Sequence, residues 1–83
     1  LTRELRDKFG YEEEQGVIVS GVDPNSTAAK AGLKPGTLIL EVDRKPVTDV
    51  DDLRTAVRDA EGESVLLLVK SGDHARYVVM DIT

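Results

Sequence analysis

The sequence predicts an α+β domain dominated by β-strands, and three features carry that expectation. Short runs of β-branched and aliphatic residues, bounded by glycine, proline and aspartate, recur along the chain. One longer amphipathic helix is written between Asp49 and Ala60. With 83 residues the chain has length for one domain and one hydrophobic core.

The elements follow in order. Leu1, Leu5 and Phe9 share one face of a short helix, with Thr2 as its N-cap, Glu4 in the first turn and Gly10 at its end. Glu12, Glu13 and Glu14 form a one-sign run that reads as a solvated loop. Residues 16–22 are β-branched and read as a strand. Ser26 caps a one- or two-turn helix built from Ala28, Ala29 and Ala31, and Gly32 suits the left-handed position that closes it. Lys34-Pro35-Gly36 turns the chain into a strand at 38–42, with Leu38, Leu40 and Val42 on one face and Ile39 and Glu41 on the other. Residues 43–46 turn it again. In the 49–60 helix Asp49 is the N-cap, Asp52 is the capping-box acid, and Val50, Leu53, Ala56, Val57 and Ala60 form the apolar stripe. Gly62 stops it. Strands at 65–69 and 77–82 are joined through Ser71-Gly72-Asp73. The expected core is Val17, Val19, Leu33, Ile39, Leu53, Val57, Leu66 and Leu68.

Composition excludes several kinds of function. Charged residues are 33% and hydrophobic ones 40%, a balance that suits a packed domain rather than a disordered one. A net charge of −5 offers no basic face to neutralise phosphates, and three aromatic residues give no ladder for stacking bases, so nucleic acid is not expected as a partner. No apolar run approaches the length of a membrane span. The absence of cysteine removes disulfides, thiolate nucleophiles and zinc-finger sites together. The one histidine, His74, stands beside a predicted turn, and none of the serines occupies a strained nucleophile turn. Asp49, Asp51 and Asp52 cluster, but helix capping accounts for them without a metal. No cofactor cradle is recognisable: Gly32 and Gly36 flank Pro35, which lacks the backbone donor a phosphate loop would use. Neither catalytic residues, metal ligands nor cofactors are therefore expected.

The run Ser26-Thr27-Ala28-Ala29-Lys30-Ala31-Gly32-Leu33, followed by Pro35-Gly36-Thr37-Leu38-Ile39, closely resembles the central stretch of PDZ domains. There a short helix of the form Ser-x-Ala-x-x-Ala-Gly-Leu precedes a Pro-Gly-Asp-x-Ile strand. Residues 49–69 look like the PDZ groove helix and the strand after it. The opening Leu1-Thr2-Arg3-Glu4-Leu5, followed by Gly16-Val17-Ile18-Val19, is similar to the branch found in HtrA/Do-type (DegP/DegQ-like) bacterial serine proteases. The ending resembles the second, C-terminal PDZ of such proteases more than the first. Thr37 departs from the family pattern, which has Asp after the glycine, and this puts the usual turn hydrogen bond in doubt.

The resemblance implies a partly open small barrel of about five strands with two or three helices and the permuted bacterial strand order. It also places the family's carboxylate-binding strand immediately before Leu1. Residues 1–83 are thus expected to be a single, N-terminally truncated PDZ domain whose 16–22 strand borders an empty slot. In the family an extended C-terminus adds as a strand beside the groove helix. Matching positions assign Val50, Arg54 and Val57 to that groove, with Arg54 favouring an acidic ligand residue or lying along an apolar one. The implied partners are C-terminal peptides or unfolded proteins, and other domains or protomers of a parent protease, in the periplasm. Two alternatives stand beside this: an oligomer-assembly module of the protease, and a PDZ domain of a tail-specific or site-2 protease. On any of these readings the chain does no covalent chemistry. The purified chain should leave unfolded casein intact over hours, and cleavage abolished by His74→Ala would overturn that reading.

Overall fold

A computed structural model describes residues 3–12, 15–60 and 62–82. The elements are α1 (Arg3–Phe9), β1 (Val17–Ile18), α2 (Thr27–Lys30), β2 (Leu38–Val42), β3 (Lys45–Pro46), α3 (Val50–Arg58), β4 (Ser64–Ser71) and β5 (His74–Asp81). They form one antiparallel five-stranded sheet in the order β1-β2-β4-β5, with β3 pairing the far half of β2. The sheet does not close, in keeping with a partly open barrel. The Thr2 cap, the facial position of Leu1, the Leu5 side chain and the Glu13–Glu14 part of the acidic run lie outside what is described.

Both internal helices begin and end as their residues dictate. The Ser26 hydroxyl accepts from the Ala29 N–H at 3.2 Å and donates to the Asp23 carbonyl at 2.7 Å, which fixes the entry to α2. At its end Leu33 N–H bonds the Ala28 carbonyl and Gly32 N–H bonds the Ala29 carbonyl, the paired bonds of a Schellman motif. That motif needs a left-handed residue, and Gly32 supplies φ 90°. The helix thereby ends by delivering Leu33 into the core. In α3 the Asp49 carboxylate accepts from Asp52 N–H at 2.8 Å. The return arm differs from a capping box by one residue, because the Asp52 carboxylate takes the Thr48 N–H at 3.1 Å and the Thr48 hydroxyl. These bonds hold the Asp52 carboxyl below the ordinary carboxylate range, the hydroxyl contributing most.

The strands depart from expectation in ways that local chemistry explains. The 16–22 segment pairs in the ladder only at Val17 and Ile18, extended by Val19 N–H to Thr37 O at 2.8 Å and Gly36 N–H to Val19 O at 2.7 Å. Beyond Val19 the facing chain turns away at Pro35–Gly36, so residues 20–22 have no ladder on that side. Residues 43–46 are a two-residue hairpin turn followed by a fifth strand, β3. Asp43 and Arg44 take φ 50° and 68°, and Asp43 is held by its N–H to Leu66 O at 2.7 Å and its Oδ1 from Leu66 N–H at 2.9 Å. In β2 a bulge between Ile39 and Glu41 resets the alternation, so Ile39 and Val42 both enter the core although they are three residues apart.

The core is Val17, Leu33, Ile39, Val42, Val47, Val65, Leu67, Val69 and Val78, with Val19, Leu53, Ala56, Val57 and Met80 packed against it. Val17, Leu33 and Ile39 lie there as expected, while Val19, Leu53 and Val57 are only half-buried. The expected places of Leu66 and Leu68 are corrected: Val65, Leu67 and Val69 face the core and the two leucines face the opposite side of the sheet. Five consecutive apolar residues carry no alternation of their own. The phase is imposed across the ladder, where Leu67 stands between Val42 and Val78, and Val69 beside Ile39.

Two measurements test this arrangement. Leu67→Ala should cost about 2–5 kcal/mol in urea unfolding and Leu66→Ala distinctly less; equal losses would mean the strand phase is wrong. The Asp52 carboxyl has a lower pKa folded than unfolded, so its contribution is present above the unfolded value and lost as the pH falls through the folded one. Wild type should therefore lose more stability than Asp52→Asn as the pH drops below about 4, and parallel pH profiles would contradict the Thr48–Asp52 pairing.

Candidate functional site

One flank of the sheet is left uncovered. Between α3 and the 19–22 segment runs an open slot of about 430 Å³. Its floor is Ile39, Leu67 and Met80, its inner end Leu33 and Ala28, one lip Val19, Gly21 and Val22, and the other lip Leu53, Arg54, Val57 and Arg58 of α3. The sequence accounts for each wall. Asp49 starts α3 at a point that turns Leu53 and Val57, one turn apart, toward the sheet. The Ser26–Gly32 helix folds back so that small Ala28 faces the slot. Small side chains along α2 and a short β1 leave the space unfilled.

The slot is apolar within and cationic at its rim. Among the described residues Arg54 and Arg58 are the only charged ones that line it, in a chain of net charge −5. Arg58 Nε stands 3.9 Å from Asp59 Oδ1 with both side chains largely exposed, a contact worth little. Among the described residues Arg54 makes no ion pair. The uncovered wall is also polar in its backbone: residues 20–22 form no ladder with β2, so an extended segment lying in the slot could hydrogen-bond along them.

Of the three groove residues expected from sequence, Arg54 and Val57 line the slot. Val50, in the first turn of α3, is 49% exposed and is not among the lining residues. Arg58 and Leu53 went unnamed, although the signal was present: Arg58 follows Arg54 by four residues, one helical turn. Tyr11 was also missed. It is buried, and its hydroxyl lies 2.6 Å from the Gly36 carbonyl and 2.8 Å from the Lys70 carbonyl, sharing one proton between them. This ties the exit of α1 to the start of β2 and the end of β4. Thr37, the departure from the family pattern, is buried, with Oγ1 3.4 Å from Ser71 Oγ and its N–H on the Lys34 carbonyl.

Among the described residues no three His, Cys, Asp or Glu side chains converge to hold a metal ion, and no helix is long and apolar enough to cross a membrane. His74 is exposed at the start of β5.

Comparison with known proteins matches this geometry. A PDZ-domain family model matches residues 18–71. Among curated proteins, the chain is 38% identical over 81 residues to a probable periplasmic serine endoprotease DegP-like from Chlamydia pneumoniae, and 42% identical over 81 residues to the protein of that name from Chlamydia muridarum. These alignments cover 96% of this chain but only 17% and 16% of the relatives, so the chain spans about a sixth of their length. Among solved structures, the HtrA3 PDZ domain bound to a phage-derived ligand (FGRWV) superposes with TM-score 0.80 at 27% identity, covering 94% of this chain and 69% of that one. The HtrA-type protease AlgW with a decapeptide does so with TM-score 0.80 at 28% identity, covering 98% and 25%. The family model decides the matter: this chain belongs to the PDZ domain family, and the relatives and solved structures it resembles are DegP-like and HtrA-type proteases.

Proposed function

We propose that this chain is the substrate-recognition module of a periplasmic HtrA-type serine protease, and that it takes extended C-terminal segments of unfolded proteins into the slot beside α3. The observation that carries this reading is the apolar slot itself, with α3 on one lip and backbone without a β2 ladder on the other. A strand laid there would gain main-chain hydrogen bonds for register, and the slot would read its alternate side chains. One apolar side chain would sit against Leu53 and Val57, over the floor made by Ile39 and Met80. Arg54 and Arg58 would meet a carboxylate at the rim, either a side chain or a chain terminus. The two structural neighbours were solved with peptides, and the curated relatives bear the name of periplasmic proteases.

The test is a fluorescence-anisotropy titration of a labelled peptide with an apolar C-terminal residue, using the full-length protein that carries this domain. Val57→Glu should abolish binding by placing a charge in the apolar slot. Arg54→Ala should weaken a peptide bearing an acidic residue about 2- to 5-fold, the scale of an exposed ion pair, and leave its neutral counterpart unchanged. Unaltered affinity in Val57→Glu would mean the slot is not the binding site.

A further inference from the structure

The sheet has a second strand edge without a strand partner, that of β5, whose Met80 also forms part of the slot floor. Among the described residues β5 pairs with β4 along all eight of its residues and with no other strand, while α2 packs close to it near Arg76. The hairpin is closed by the pair Ser71–His74 around Gly72-Asp73, with Gly72 at φ 57°. In a two-residue hairpin the closing pair exchanges both hydrogen bonds, and along an antiparallel ladder bonded and non-bonded pairs alternate. Arg76, Val78 and Met80 therefore bond inward to β4. Ala75, Tyr77, Val79 and Asp81 turn their N–H and C=O groups outward, and no described hydrogen bond reaches them.

Apart from Asp81, the side chains beside these open groups carry no charge. Tyr77 is 57% exposed and Val79 61%, and across the ladder they stand opposite Leu68 and Leu66 on the face away from the core. This is a large-residue cluster at a regular edge of eight residues. Natural edges of that length are ordinarily blunted by proline, lysine or a bulge. β5 has no proline, lysine or register shift, and its one cation, Arg76, lies on the core side.

We propose that β5 is a homotypic docking edge, on which a second copy of this chain adds its own β5 antiparallel about a two-fold axis through Val78. The occupant follows from the register. With Val78 on the axis, Tyr77 faces the partner's Val79, Ala75 faces the partner's Asp81, and each pairing recurs by symmetry. All four outward-pointing residues of each copy then find outward-pointing partners, and Tyr77 packs on Val79 twice, an aromatic–β-branched pair of the kind that stabilises sheets. Shifting the axis to Tyr77 would set Asp81 against the partner's Asp73, a like-charge opposition, and shifting it to Val79 would set Tyr77 against the partner's Asp81 and lose both Tyr77–Val79 pairs, so charge and packing together select the first register. The overall charge of −5 does not forbid approach. The β4–β5 hairpin balances Lys70 and Arg76 against Asp73 and Asp81, and more distant charges are screened beyond about 8 Å at physiological salt. A single ladder of this length falls below the ~1,200 Å² of stable interfaces, so the dimer should be weak, with a dissociation constant on the order of 100 µM.

Sedimentation velocity of the chain from about 10 µM to 1 mM reads the proposal directly, since that range brackets the expected constant. Wild type should move from monomer to dimer across it. Tyr77→Lys with Val79→Lys sets two lysine pairs face to face and should raise the dissociation constant at least 10-fold. Tyr77→Lys with Val79→Glu replaces them by lysine–glutamate pairs in the same register and should retain the dimer. All substituted side chains are exposed, and circular dichroism checks that each variant folds. A wild-type monomer throughout would overturn the proposal, as would a dimer indifferent to the double-lysine change, or one lost equally in the lysine–glutamate variant. Loss of the dimer in Val57→Glu would show that the slot, and not β5, joins the copies; the same variant's peptide binding reports separately on the proposed function.

Discussion

Ile39 is paired on both sides, with Val17 across one edge of β2 and with Val69 across the other. That double pairing makes β2 the strand through which every other element is placed. β1 and β3 share its first edge, β4 runs along its second, and β5 is reached only through β4. A strand buried between neighbours must satisfy its backbone on both edges, and β2 does so while carrying a bulge at Leu40. The bulge is what brings Ile39 and Val42 to one face. Without it α3 would meet a sheet face whose second half was turned outward, and the slot would lose its floor.

The close approach of β1 to β2 depends on Gly16. A Cβ there would lie 2.7 Å from Leu38 Cδ1 and 3.0 Å from the Ile39 carbonyl oxygen, and its φ of 140° is one that side-chain-bearing residues rarely adopt. Leu38 is fully buried on the sheet face opposite the main core, the side on which Tyr11 hydrogen-bonds across Gly36 and Lys70. Two small packing centres thus grip β2 from either face. The slot is the flank that neither centre fills, and α3 borders it rather than closing it: its apolar stripe is short, and no α3 residue is fully buried.

Local chemistry was the legible part of the sequence. Ser26, Gly32, Asp49 and the Gly72 turn each act through neighbours within a few residues, and each stands where its side chain or φ preference puts it. The slot residues Arg54 and Val57 were readable because a capped helix fixes its own faces. What was not readable depends on partners distant in sequence. The phase of Val65–Val69 is set by Val42 and Val78, and the bulge at Leu40 by a register that no window around residue 40 contains. Tyr11 sits in a glycine- and glutamate-rich loop whose composition suggests solvent, yet its acceptors lie 25 and 59 residues away. Val50 sits elsewhere for a different reason: helical spacing puts it on the stripe, but the part of α3 that lines the slot begins one turn later, at Leu53.

The slot and the β5 edge share one property, backbone without a strand partner among the described residues, and the slot floor reaches β5 at Met80. Four strands at about 4.8 Å spacing put roughly 14 Å between the edges of β1 and β5 themselves. Their specificities come from different sources. On the proposed reading the backbone at the slot would be general and the selection would lie in Leu53, Val57 and the two arginines of the rim. At β5 the selection lies in symmetry: a strand that must present Val79 to Tyr77 and Tyr77 to Val79 at once, with Asp81 kept away from Asp73, is described by β5 itself and by few other sequences. Mechanical coupling between the two can pass directly through Met80, which belongs to β5 and lines the slot, or through β2 and β4. Both are hydrogen-bonded on both edges and anchored by Val42, Leu67 and Val69, all at or below 1% exposure, which gives them little freedom to shift. Those two strands hold the frame fixed, so any influence of an occupant at β5 on the slot would travel through Met80 and not through a shift of the sheet.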